Sequence, residues 1–381
     1  MAEMLTEKKT DMQTEEMLLN MGPQHPSTHG VLRLLLRMDG EVVHEVVPYI
    51  GYLHRCKEKI GENVTYPQFM PYTDRLDYLA SMNMNFGYAL AVEKMLGLEI
   101  PERAQYIRII MAELNRIGSH LVAWGTYGLD MGAFTPFMYG FRERERIVDI
   151  FEKTCGARLT YNYMRIGGVS RDLPPGIEKD ISDFLDYFEP RITEYNDLLS
   201  YNKIFIERTA NVGVLPLDMA IAYGVTGPCL RASGLKWDLR KDEPYSIYDR
   251  FDFEIPVGTG EKGTVGDAWD RYMLRVREME QSARIVRQAL KTLPEGEVMG
   301  KVPKNIKTPK GAELFFRSEA PKGELGFYIV SNGKPKPERM KLRSPSFSNL
   351  SVLPELAKGA MVADLVAIVA SLDIVLGEID R

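Results

Sequence analysis

Ile107, Ile110, Leu114, Ile117 and Leu121 recur at the spacing of one face of an α-helix. Glu113, Arg116 and His120 fall on another face of the same segment. A helix with both an apolar stripe and a charged stripe must be packed on one side and must find partners on the other. Pro101 stands where such a helix opens. Similar periodicity predicts helices over 74–96, from Pro136 to about 154, over 177–201, over 267–293 and over 359–376. Met273, Val276, Ala283, Val286 and Leu290 form the stripe of the 267–293 helix. This is a mainly helical body.

Two short β elements are also legible. Val31–Arg37 and Glu41–Pro48 flank the turn Met38-Asp39-Gly40, with Val42, Val43, Val46 and Val47 favouring the extended state. Glu324–Val330 and Glu338–Arg343 flank Asn332-Gly333, a strong turn dipeptide. The predicted class is α+β, helical with small antiparallel hairpins near the N-terminus and before the C-terminal helix. The expected division is a flexible arm over 1–20 and one domain over 21–381. Within that domain 21–70 is the hairpin region, 71–300 the helical body and 301–381 the C-terminal hairpin and helix. The segment 212–258 reads as irregular.

Composition narrows the function. The 381 residues carry a net charge of −5 and no basic stripe, which argues against nucleic acid. Cys56, Cys155 and Cys229 are far apart, with no CxxC pair, so the chain offers neither a disulfide framework nor four thiolates for an iron–sulfur cluster. The most apolar stretch, Met361–Leu376, contains Asp364 and Asp373 and is too short to span a bilayer. It reads as a buried core helix in which Asp364 needs a partner.

Individual motifs first read blandly. His25 and His29 have the spacing of a helical metal pair, but Pro26 forbids a continuous helix, leaving two loop histidines at the mouth of the first hairpin. Gly258-Thr-Gly-Glu-Lys-Gly263 spells a dinucleotide fingerprint, yet no βαβ unit follows, so it is a chance match in a turn. Arg142–Arg146 reads as a solvated, ion-paired helix face. Glu113 and His120 read as a satisfied buried polar pair, and Tyr78 as an ordinary helix tyrosine.

Taken in order, GPQHPSTHGVLRL (22–34), IGYLHR (50–55), DRLDY (74–78), LDMGAFTPF (129–137), IGGV (166–169), LRASG (230–234), KGELG (322–326) and SLDIVLGEIDR (371–381) resemble one family along nearly the whole chain. It is the 49 kDa or D-type subunit family of proton-pumping NADH:quinone oxidoreductases (complex I), related to the large subunits of nickel–iron hydrogenases. In those hydrogenases two cysteine pairs hold the metals. Here the matching segments Leu53–Lys59 and Ser371–Leu376 hold one cysteine and none. The resemblance therefore implies that no metal is bound by this chain and that the emptied cavity receives a quinone headgroup.

By the same resemblance His29, Tyr78 and Asp130 are the catalytic set, with Asp130 behind the histidine. Thr126 and Met138 would lie on the quinone pocket wall. Arg55 would lie beside a [4Fe-4S] cluster in the adjacent B-type small subunit. The implied partners are that subunit, a C-type (30 kDa) subunit, an I-type ferredoxin-like subunit and a membrane H-type subunit. The implied location is peripheral, on the cytoplasmic face of the inner membrane, within an ion-translocating complex. A catalytically silent scaffold or a degenerate hydrogenase subunit is the alternative. Thr160 stands where many members carry a histidine near the cluster, which favours menaquinone over ubiquinone as substrate. The stretch 293–319 is also shorter than in most members.

Overall fold

The computed structural model describes residues 16–25, 27 and 29–381. Strands β1 (Glu16–Met21), β2 (Arg33–Asp39) and β3 (Val42–Tyr49) form an antiparallel sheet in that order. Leu34, Leu36 and Met38 alternate inward on β2, as a half-buried strand requires. Residues 16–20, expected to be part of a flexible arm, belong to β1 and pair with β2 from Glu16↔Asp39 to Met21↔Leu34. Residues 1–15 of that predicted arm lie outside the described residues.

Short helices α1 (Lys57–Gly61) and α2 (Tyr66–Thr73) lead to the body: α3 (Ser81–Leu96), α4 (Glu102–Asp130) and α5 (Phe134–Cys155). The two-residue strands β4 (Met164–Arg165) and β5 (Gly168–Val169) pair with each other. Then come α6 (Ile177–Phe188), α7 (Arg191–Tyr195), a π-helical turn (Asn196–Ser200), α8 (Lys203–Thr209), α9 (Leu217–Ala222), α10 (Pro228–Ala232), α11 (Leu239–Asp242) and α12 (Ala268–Lys291). The second three-stranded antiparallel sheet is β6 (Glu313–Ala320), β7 (Gly323–Val330) and β8 (Arg339–Arg343). The chain closes with α13 (Pro345–Ser351), α14 (Leu353–Ala357), α15 (Val362–Leu372) and α16 (Leu376–Ile379).

The α+β reading holds, with local corrections. The helix expected over 74–96 begins only at Ser81. Asp77 Oδ1 accepts the Leu79 N–H, and Ser81 Oγ donates to the Asp74 and Tyr78 carbonyls, so short polar side chains hold 74–80 as a turn. Tyr78 is thus a turn residue. The 177–201 helix breaks after Phe188, where Pro190 lacks an N–H to donate. The last helix ends at Leu372, and Asp373 takes a left-handed conformation (φ 52°) before α16. Periodicity missed β6, the partner of β7. No strand leads directly into Gly258, and residues 252–261 are irregular.

The main core packs α4 and α12 against α3, α5 and the β6–β7 hairpin; a second core lies between the N-terminal sheet and α13–α16. Charge runs through this interior. Glu113 takes Arg116 and Arg240 at 3.2 Å each, Tyr248 Oη at 2.6 Å and Ser282 Oγ at 2.7 Å. His120 pairs across to Glu278 at 3.0 Å, not with Glu113. Arg231 bridges Glu278 (2.7 Å) and Glu319 (2.8 Å). Burial opposes the charge of Glu278, but Arg231 and His120 outweigh it and hold the carboxyl well below its ordinary range. Asp364 is half-buried and meets Arg208 at 3.1 Å. On α5, Arg142 and Arg146 do face outward, with Arg146 over the Tyr187 ring, but Glu143 between them is buried. Among the described residues no helix is long and apolar enough to cross a membrane.

Candidate functional site

Asp130 is the last residue of α4, and His29 sits in the loop before β2 with φ 51°. The structure brings them together: His29 Nε2 lies 2.7 Å from Asp130 Oδ2, with both side chains largely buried. A non-glycine residue in the left-handed region is uncommon, and here it turns the ring toward the end of α4. A carboxylate at this distance fixes the ring orientation.

Tyr78 reaches the same region from the 74–80 turn. Gly377 of α16 packs so closely on that turn that a Cβ there would stand 2.5 Å from the Leu76 carbonyl oxygen and 3.2 Å from Tyr78 Cδ1. The preceding residue, Leu376, lies against the other side: a Cβ on Gly30 would meet Leu376 Cδ1 at 3.7 Å. Residues 376–377 are therefore the wedge between the His29 loop and the Tyr78 turn. Burial, then Asp77, pushes the Tyr78 phenol above its ordinary value, while Lys322 and Arg55 pull the other way.

The remaining predicted residues lie on other elements. Thr126 lies one helical turn before Asp130, on the same face of α4, and its hydroxyl donates to the Val122 carbonyl at 2.8 Å. Met138 is exposed on α5. Arg55 is exposed and donates to the Arg75 carbonyl at 2.7 Å. With Lys57 and Arg75 it lines an open cleft of about 480 Å³, edged by the exposed guanidinium groups of Arg55 and Arg75. Segments 50–55 and 371–381 meet at Asp380. Asp380 accepts the Gly51 and Leu53 N–H groups at 2.8 and 2.7 Å, and its carbonyl meets His54 Nδ1 at 2.6 Å. His25 holds the loop itself, accepting the Ser27 N–H at 3.2 Å.

Sequence reasoning missed a buried charge cluster beneath Tyr78. Lys322, in the β6–β7 turn, lies 3.4 Å from both Asp77 Oδ2 and Asp373 Oδ2 and donates to Ser119 Oγ at 3.1 Å. Arg275 of α12 adds a second cation 3.3 Å from Asp373. Glu378 of α16 is fully buried beside them. The available signal was charge inside the ordered motifs: Asp77 in DRLDY, Lys322 in KGELG, and Asp373 and Glu378 in the largely apolar SLDIVLGEIDR.

Comparison with known proteins gives one answer. The family described as "Respiratory-chain NADH dehydrogenase, 49 Kd subunit" matches residues 130–312 and 301–381. The D-type subunit of NADH-quinone oxidoreductase from Bacillus anthracis is 56% identical over 370 residues, covering 97% of this chain and all of the relative. Its namesakes in Bacillus cytotoxicus and Bacillus mycoides are each 54% identical over the same span.

Proposed function

The chain belongs to the respiratory-chain NADH dehydrogenase 49 Kd subunit family, and we propose that it forms part of the site where a membrane quinone is reduced to quinol. The observation that carries this reading is the placement of two proton donors of different chemistry on either side of the 376–377 wedge. They are the His29–Asp130 pair at 2.7 Å and the half-buried phenol of Tyr78.

Reduction of a quinone consumes two electrons and two protons, one proton at each carbonyl oxygen. A phenol, with a pKa of about 10 in water, holds its proton until the bound oxygen gains charge. The His29 ring, oriented by Asp130, serves the other oxygen as proton donor. On this reading Thr126 and Met138 line the quinone path, and the Arg55 cleft faces a [4Fe-4S] cluster carried by the B-type neighbour, which supplies the electrons. C-type, I-type and membrane H-type subunits complete the assembly on the cytoplasmic face of the membrane, and the charge change at His29 and Tyr78 drives ion translocation. Thr160 in place of a titrating histidine makes menaquinone the favoured substrate.

The test is Tyr78→Phe and His29→Ala in the assembled complex. Both should assemble normally and lose quinone reduction while electron input to the cluster persists. Full quinone reductase activity in both variants would make the chain a scaffold instead.

A further inference from the structure

Glu378 is fully buried, and it stands apart from the other charges around it. Its Oε1 accepts the Ser346 N–H at 3.1 Å, while its Oε2 has no hydrogen-bond partner among the described residues. No lysine, arginine or histidine lies within ion-pair distance of it among those residues, whereas the neighbouring charges are matched. Asp77 and Asp373 face Lys322 and Arg275, two negative against two positive. From β8, Arg343 is engaged by Glu324 at 3.1 Å. From α1, Lys57 reaches the Gly377 carbonyl at 3.5 Å, but burial and the nearby Arg55 push its ammonium down to about 6, so it adds little positive charge at neutral pH. An ionised Glu378 would leave one unbalanced charge in the interior, and neutralisation by a proton avoids that cost.

We propose that Glu378 is kept as the neutral carboxylic acid and serves as the proton store for Tyr78, returning a proton to the phenol after the quinone has taken one. This rests on the quinone-site reading above. Glu378 directly follows Gly377, the residue packed on the Tyr78 ring, and Asp77 directly precedes Tyr78. The step balances: the tyrosinate oxygen gains the proton, the Glu378 O–H bond breaks, and the resulting carboxylate later recovers a proton from water. Burial and Asp77 push the Glu378 carboxyl up to about 8, which keeps it protonated at rest yet more acidic than a phenol. The other proton carrier nearby, Lys322, is held more tightly protonated than a free lysine by Asp373 and Asp77, which overcome its burial, and so does not donate.

The experiment is Glu378→Gln in the assembled complex, with Glu378→Asp and Tyr78→Phe alongside. The glutamine keeps the acceptor for Ser346 but carries no exchangeable acid. Turnover should fall about a hundredfold with the KM for quinone nearly unchanged. The alkaline limb of the wild-type pH profile should disappear, and Glu378→Asp should restore that limb with part of the rate. Infrared difference spectra should lose the carbonyl stretch of a buried protonated carboxylic acid. A glutamine variant that keeps wild-type turnover and pH profile overturns the proposal, as does an unchanged carboxylic-acid band. If Tyr78→Phe is inactive while Glu378→Gln is normal, only the proton store falls. If both variants are normal, the quinone-site reading falls with it.

Discussion

Lys322→Met is the most exacting perturbation of the charge cluster. The lysine is fully buried, and its ammonium lies 3.4 Å from each of two buried carboxylates. Methionine fills nearly the same volume, so the loss is electrical and not a cavity. Removing one partner of a buried ion set costs about 3–5 kcal/mol, because the charges left behind are uncompensated. Arg275 still faces Asp373 at 3.3 Å, so Asp77 bears most of that cost. The pH dependence follows from the direction of each shift. Asp77 is already raised above its ordinary value, by burial first and with Asp373 adding, while Lys322 restrains it. Without Lys322 it rises further. A carboxyl whose folded pKa exceeds its unfolded one destabilises the fold at high pH and ceases to do so once protonated. The deficit of Lys322→Met should therefore be larger at pH 8 than at pH 5, measured by thermal unfolding followed by near-ultraviolet circular dichroism. Adding Asp77→Asn should recover stability in the methionine background while costing stability alone, a clear non-additivity. A deficit below about 1 kcal/mol, or one identical at both pH values, would show that Asp77 carries no uncompensated charge once Lys322 is gone.

Three further outcomes are expected. Asp130→Asn keeps the contact with His29 but replaces a charge-assisted hydrogen bond by a neutral one, a loss of about 1 kcal/mol. Quinone turnover should drop about fivefold with assembly intact, and unchanged turnover would show that the carboxylate's charge is idle. Gly227→Ala combines φ +69° with a Cβ only 2.4 Å from Gly323 Cα, so it should displace the β6–β7 turn and prevent stable folding. Gly97→Ala, at φ +63° in open space, should cost only about 1–2 kcal/mol in unfolding experiments; equal effects of the two would dismiss the contact. With Thr160 in place of histidine, the neighbouring cluster's midpoint potential should stay flat between about pH 6 and 8, where an imidazole would titrate; redox titrations showing a steep slope would contradict it.

The helical body, both hairpins and the ordered motifs were legible in the amino-acid sequence because each depends on neighbours a few residues apart. Apolar spacing along 107–121, the Pro101 start and the Asn332-Gly333 turn act locally, and α4 and the β7–β8 pair follow from them. The same local logic failed at 74–80, where the side chains of Asp77 and Ser81 compete for backbone groups and hold a turn against the helical pattern. It also failed at β1, whose exposed residues carry no burial signal and are held by pairing with β2.

The candidate site divides in the same way. Its residue types could be picked out from motifs, but their partnerships join segments far apart in the chain: His29 with Asp130, Asp77 with Lys322, and both with the wedge at 376–377. Charge inside an apolar motif signals that a partner is required, since an unpaired buried charge is too costly to keep. Only the tertiary structure decides which partner it is, and among the described residues that choice leaves Glu378 as the carboxylate of the cluster that faces no cation.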